Sequence, residues 1–243
     1  MARRMTASRF KEQRWFDDMR RWRSALLLSV PLPCYVGSPA LTIPSTSTGI
    51  GTMNRHRLLP HRGFPDYAYL PGRLSHPVRD PAGHSYGVQG VQPVFADLHS
   101  EEFTWGCELF NHGYYWEAHE AWEGIWQVAE RGSPLRSFLK ALILLSAAGV
   151  KSREGKRPAA MRHAGRAAGL LRQLPKSPGD RFSRALAVEP STMADVAQAT
   201  AAAPPILQVT ELGRPEPVFR FIIGGHQSVE AGVPAHGSTS LQP

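Results

Sequence analysis

At 243 residues, with 22 Gly and 21 Pro, the chain is long enough for one large domain or for a modest one carrying extensions. Its net charge of +8 and pI near 9.9 raise the question of phosphate binding, yet no nucleic-acid motif accompanies the basic residues, so a specific nucleic-acid partner is not favoured. Two distant cysteines, Cys34 and Cys107, form neither a zinc spacing nor a disulfide framework, which points to a reducing, cytoplasmic setting with Cys107 as a small core residue.

Glycine and proline crowd into residues 31–93 and 204–243 and thin out between Leu98 and Leu174. That contrast predicts one all-α core, a compact bundle of four to six helices, with an extended, loop-rich N-terminal arm. The expected divisions are residues 1–52 as a disordered extension or an upstream segment outside the mature protein, 53–94 as a leader packing on the core, 95–175 as the helical core, 176–224 as short helices and an extended piece packed on it, and 225–243 as a disordered tail.

The N-terminal arm carries Arg3, Arg4, Arg9, Lys11, Arg14, Arg20, Arg21 and Arg23 ahead of the apolar run Ala25–Val30. That run is short, is closed by Pro31 and Pro33, and lacks a small-residue cleavage site, so it does not read as a secretory signal. It is also too short to span a bilayer, and no membrane partner is expected. Met53 opens a stretch that reads as a more natural start. In the leader, Tyr67, Tyr69 and Tyr86 are candidates to pin the loop onto the core; His76, Asp80 and His84 are polar, but their spacing resembles no known metal site.

From Asp97 the texture becomes helical. Ser100 with Glu101 and Glu102 offers a cap and first-turn acids, and Asn111–His112–Gly113 supplies the stop. A second helix is predicted over Tyr114–Glu130 and a third from Ser133–Pro134 to Glu154, apolar around most of its circumference between Ala141 and Val150. A fourth covers Pro158–Leu174 with a stripe of Met161, Ala164, Ala168 and Leu171. Short helices follow at Asp180–Val188 and Ser191–Ala202, then extended pieces at Ile206–Val209 and Val218–Ile223.

The concentrated chemistry lies in Trp116–Glu117–Ala118–His119–Glu120–Ala121–Trp122–Glu123. On a helical wheel Tyr114, Ala118, Ala121, Trp122, Ile125 and Ala129 share the buried arc, while His119, Glu120 and Glu123 project together on one flank among indole rings. His119 and Glu123 are i,i+4 neighbours that can touch; Glu117 points elsewhere. Three readings are open. His119 and Glu123 could ligate a divalent metal, with Glu120 as base or third ligand, an echo of the metalloprotease pattern with Glu123 in place of the second histidine. His119 and a carboxylate could transfer protons without metal. Or the acids could pair with Lys151, Arg153, Arg162 or Arg166 in a structural network, the reading the residues favour. His119, Glu120 and Glu123 are therefore the catalytic candidates, His119 and Glu123 the metal candidates, and Trp116, Trp126 and Lys151 the candidate ligand-lining residues. No other cofactor is indicated. The basic fourth helix is an alternative surface for nucleic acid or an acidic partner, and self-association is left open.

Phe110–Asn111–His112–Gly113–Tyr114–Tyr115–Trp116–Glu117–Ala118–His119–Glu120, followed by Glu123 and Trp126, resembles the signature of the domain-of-unknown-function family 309. Leu142–Ile143, Lys151, Gly155 and Ala159–Ala160 match its later part, so the resemblance covers about Phe95 to Leu174. It implies a compact all-helical fold and no established activity. Leu144 stands where that family often carries a glutamine, which implies one polar group fewer should that glutamine line a site. Asp66–Gly72 and His84–Ser85 resemble the leader of a subset of these proteins and favour Met53 as the start.

Overall fold

The computed structural model describes residues 55–87, 94–175, 180–205 and 211–224; the readings made for 1–52, Ile206–Val209 and 225–243 fall outside the described residues. Among the described residues there are six helices and no strand. They are α1 (Glu101–Asn111), α2 (Tyr115–Val128), α3 (Pro134–Arg153), α4 (Arg157–Arg172), α5 (Arg181–Leu186) and α6 (Pro190–Ala202).

Each helix begins and ends for local reasons. The Ser100 hydroxyl accepts the Phe103 N–H at the start of α1, Ser133 accepts from Arg136 at the start of α3, and the Asp180 carboxylate accepts from Phe182 and Ser183 at the start of α5. Gly113 (φ +89°) and Gly155 (φ +71°) take the left-handed backbone that ends α1 and α3. The C-terminus of α2 is closed by a side chain instead. The buried Arg136 guanidinium donates to the carbonyls of Trp126 (2.8 Å) and Ala129 (2.7 Å) while lying 3.8 Å over the Trp126 ring.

Packing follows chain order: α2 against α1 and α3, then α4 between α3 and α6. The third helix is central, as its apolar circumference predicts; every residue from Ala141 to Lys151 is buried. Its approach to α2 is close enough that a Cβ on Gly149 would meet the Tyr115 ring at 2.6 Å. Small residues, Ala160, Ala164, Ala167 and Ala168, bury the inner face of α4. Met161, expected in that stripe, is instead 37 % exposed, because close packing is carried by the alanines to either side of it. Cys107 is fully buried on α1, as expected, and burial pushes its thiol pKa well above the ordinary value. No helix among the described residues is long and apolar enough to cross a membrane.

Two non-helical segments complete the core. The leader is tied to α1 by the wholly buried Glu108 carboxylate, which accepts from the Arg57 side chain and from the backbone N–H groups of Leu58 and Leu59. It is tied to α2 by Glu117, which accepts the Tyr69 N–H at 2.8 Å. Tyr69 is 2 % exposed, whereas Tyr86, expected to pin the loop as well, stands 51 % exposed. The C-terminal segment is latched by Asn111, which exchanges hydrogen bonds with both backbone groups of Ile223, and by the Tyr115 hydroxyl, which accepts from Val218 (2.6 Å) and Phe219 (3.3 Å).

Candidate functional site

Helix α2 is more deeply enclosed than its wheel suggests. The expected arc is buried except for Ala121, which is half-buried, and the flanks are covered too: Trp116, Glu117, His119, Glu123 and Trp126 are all buried. The covering comes from elements that periodicity within α2 cannot reveal. Tyr69 and His76 of the leader set their rings against Trp116, with centroids 5.0 and 5.4 Å away, and Arg136 of α3 covers Trp126. Glu120 is half-buried and marks the side of the helix that meets solvent.

His119, Glu120 and Glu123 come together as predicted. One ligand atom from each lies within 4.8 Å of the other two, and His119 Nε2 is 3.8 Å from Glu123 Oε2. The imidazole has no exposed surface, so anything it binds must approach from the carboxylate side. Two ligands each about 2.1 Å from one ion can stand at most about 4.2 Å apart. The widest spacing here therefore has to close by a fraction of an ångström, which a side-chain rotation of the half-buried Glu120 can supply.

Glu117 is separated from this cluster, as the wheel requires, but it is not idle. Besides the Tyr69 N–H it faces His84 Nε2 at 3.4 Å, and its second oxygen, Oε2, is buried without a hydrogen bond. Lys151 is buried on the last turn of α3, where it bonds Glu154 at 2.7 Å; Lys156 approaches the same carboxylate at 3.4 Å. Burial lowers the Lys151 pKa, and the Glu154 carboxylate opposes that fall. The other expected bases serve elsewhere. Arg153 donates to the Arg214 carbonyl, and Arg162 and Arg166 stand exposed on α4.

A second concavity, which sequence reading did not identify, lies in the leader beside Trp116. It encloses about 420 Å³ between Tyr69, Gly72, Leu74, His76, Arg79, Asp80 and Pro81. Tyr69 is pushed up to about 12 by burial first, with the neighbouring Tyr67 and the Glu154 and Glu117 carboxylates adding to the rise and Arg79 opposing it. The only sequence signal was the dense run of turn formers and aromatics between Tyr67 and Tyr86.

Fold and site together define a small helical domain with a histidine–carboxylate cluster on its second helix. Residues 103–163, from α1 into α4, match the model of the family described as domain of unknown function (DUF309), which bears out the resemblance read from the Phe110–Glu120 motif. The match supports the architecture and assigns no activity. No curated protein and no solved structure matches the chain.

Proposed function

We propose that this protein binds a divalent transition-metal cation through His119, Glu120 and Glu123, and that the bound cation activates water for hydrolysis. The observation that carries this reading is the convergence of one imidazole and two carboxylates within 4.8 Å on a rigid, buried helix. One nitrogen and two oxygen ligands suit zinc, manganese or iron. Three protein ligands leave a coordination position for water, the arrangement that hydrolytic sites need. Glu120, at the solvent side, doubles as the group that can take the water proton.

Metal content of protein purified without chelator, followed by zinc and manganese titration of the stripped protein, tests the proposal. One ion per chain is expected, lost in His119→Ala and Glu123→Ala. Absence of both a stoichiometric ion and saturable uptake would sink it. A purely structural network is the second reading, favoured by the buried His119–Glu123 pair at 3.8 Å. It predicts that Glu123→Ala lowers the melting temperature while chelator leaves the wild type unchanged. We also propose a cytoplasmic location, supported by the buried, unbridged thiol of Cys107.

A further inference from the structure

The leader loop is built as a fixed cup. Ser85 N–H donates to the Pro77 carbonyl (2.9 Å), Asp80 N–H to His76 (3.1 Å) and Gly83 N–H to Asp80 (2.8 Å), while the Tyr67 hydroxyl donates to Ser75 (2.7 Å). Gly83 permits the closure, since a Cβ there would stand 2.3 Å from the His76 carbonyl oxygen and 2.4 Å from that of Pro77. The inner wall is held by the Tyr69 backbone bond to Glu117 and by the packing of Tyr69, His76 and Trp116, whose ring centroids lie 5.0–5.4 Å apart. A cleft held this way loses little freedom on binding.

Its chemistry is mixed in a specific way. Tyr69, Leu74 and Pro81 give apolar walls, and Arg79 and Asp80 bring one charge of each sign to the same cavity. Asp80 Oδ1 accepts the Ala82 N–H at 2.9 Å, which orients the carboxylate and leaves it the acceptor capacity of its other oxygen. A ligand of a single charge would satisfy one of these groups and face the other with like charge. The volume of about 420 Å³ is at the small end of ligand-sized clefts, which run from roughly 300 to 1,000 Å³.

We infer that the leader cup binds a small zwitterion of the amino-acid type, its carboxylate on Arg79, its ammonium on Asp80 and its apolar group against Tyr69, Leu74 and Pro81. The site is distinct from the proposed cation cluster, although Trp116, which backs the cup, lies one helical turn before Glu120 on the same flank of α2.

Calorimetric titration of the full chain, stripped of metal, separates this inference from the cation proposal. The probes are L-phenylalanine and L-leucine, with 3-phenylpropanoate lacking the ammonium and 2-phenylethylamine lacking the carboxylate. Saturable binding of an amino acid is expected, at least about tenfold tighter than either singly charged analogue. Arg79→Gln should abolish the advantage over the amine, and Asp80→Asn the advantage over the acid. Arg79 is exposed, so that variant tests recognition without endangering the fold. No saturable binding of either amino acid at millimolar concentration, equal binding of a singly charged analogue, or unchanged selectivity in Arg79→Gln would each overturn the inference.

Discussion

Individual polar residues inside this protein act mainly as anchors for non-helical chain. Glu108 is the clearest case, a fully buried carboxylate that satisfies one guanidinium and two backbone amides of the leader. His112 sits beside it, with Nε2 3.6 Å from Glu108 Oε1 and its ring against Phe64. Desolvation dominates and lowers the His112 pKa below its ordinary 6.5, although the Glu108 carboxylate pulls the other way. A depressed folded-state pKa means that the unfolded chain binds the proton more readily. The stability this represents is therefore complete above about pH 6.5 and is lost as pH falls from there through the folded value. Urea unfolding at pH 7.5 and pH 5.5 should show a fall on acidification that is smaller in His112→Gln. Identical pH dependence in the two proteins would contradict this account.

The same logic extends to the connections between helices. Gly113 and Gly132 both adopt positive φ, at +89° and +80°, in the turns after α1 and α2. They differ in what surrounds them. A Cβ at Gly132 meets nothing within 4 Å, whereas one at Gly113 would lie 2.6 Å from the Glu216 carbonyl carbon and 2.8 Å from the Pro217 nitrogen. Gly132→Ala should cost about 1 kcal/mol, the backbone term alone. Gly113→Ala should cost about 3 kcal/mol or more, because strain adds to displacement of the C-terminal segment. Equal losses in denaturant melts would show that the tight contact at Gly113 is unimportant.

For the molecule as a whole, the helices alone do not complete the core. Val218, Phe219 and Ile223 are buried from a segment with no regular structure, and Phe219 stacks on Phe110 at 5.2 Å. Three such side chains contribute on the order of 5 kcal/mol, comparable with the whole stability of a small domain. A chain ending at residue 210 should therefore lose cooperative thermal unfolding. A sharp transition within a few degrees of the full-length protein would mean that the helical bundle is self-sufficient.

Helix number, order and most boundaries were legible in the sequence, because caps, glycine stops and apolar period act over a few residues and need no partner. The encounter of His119, Glu120 and Glu123 was legible for the same reason: all three project from one helix, and 3.6 residues per turn fixes their spacing. Tertiary structure alone decided what covers that helix. Whether Trp116 faced solvent depended on Tyr69 and His76, more than thirty residues away in a loop without periodicity. The roles of Glu108, Glu117 and Asn111 were hidden likewise, since a buried carboxylate or amide is defined by the backbone groups brought to it. The leader cup, with Arg79 and Asp80 at one cavity, exists only because Gly83 lets the chain close on itself and Glu117 holds it against α2.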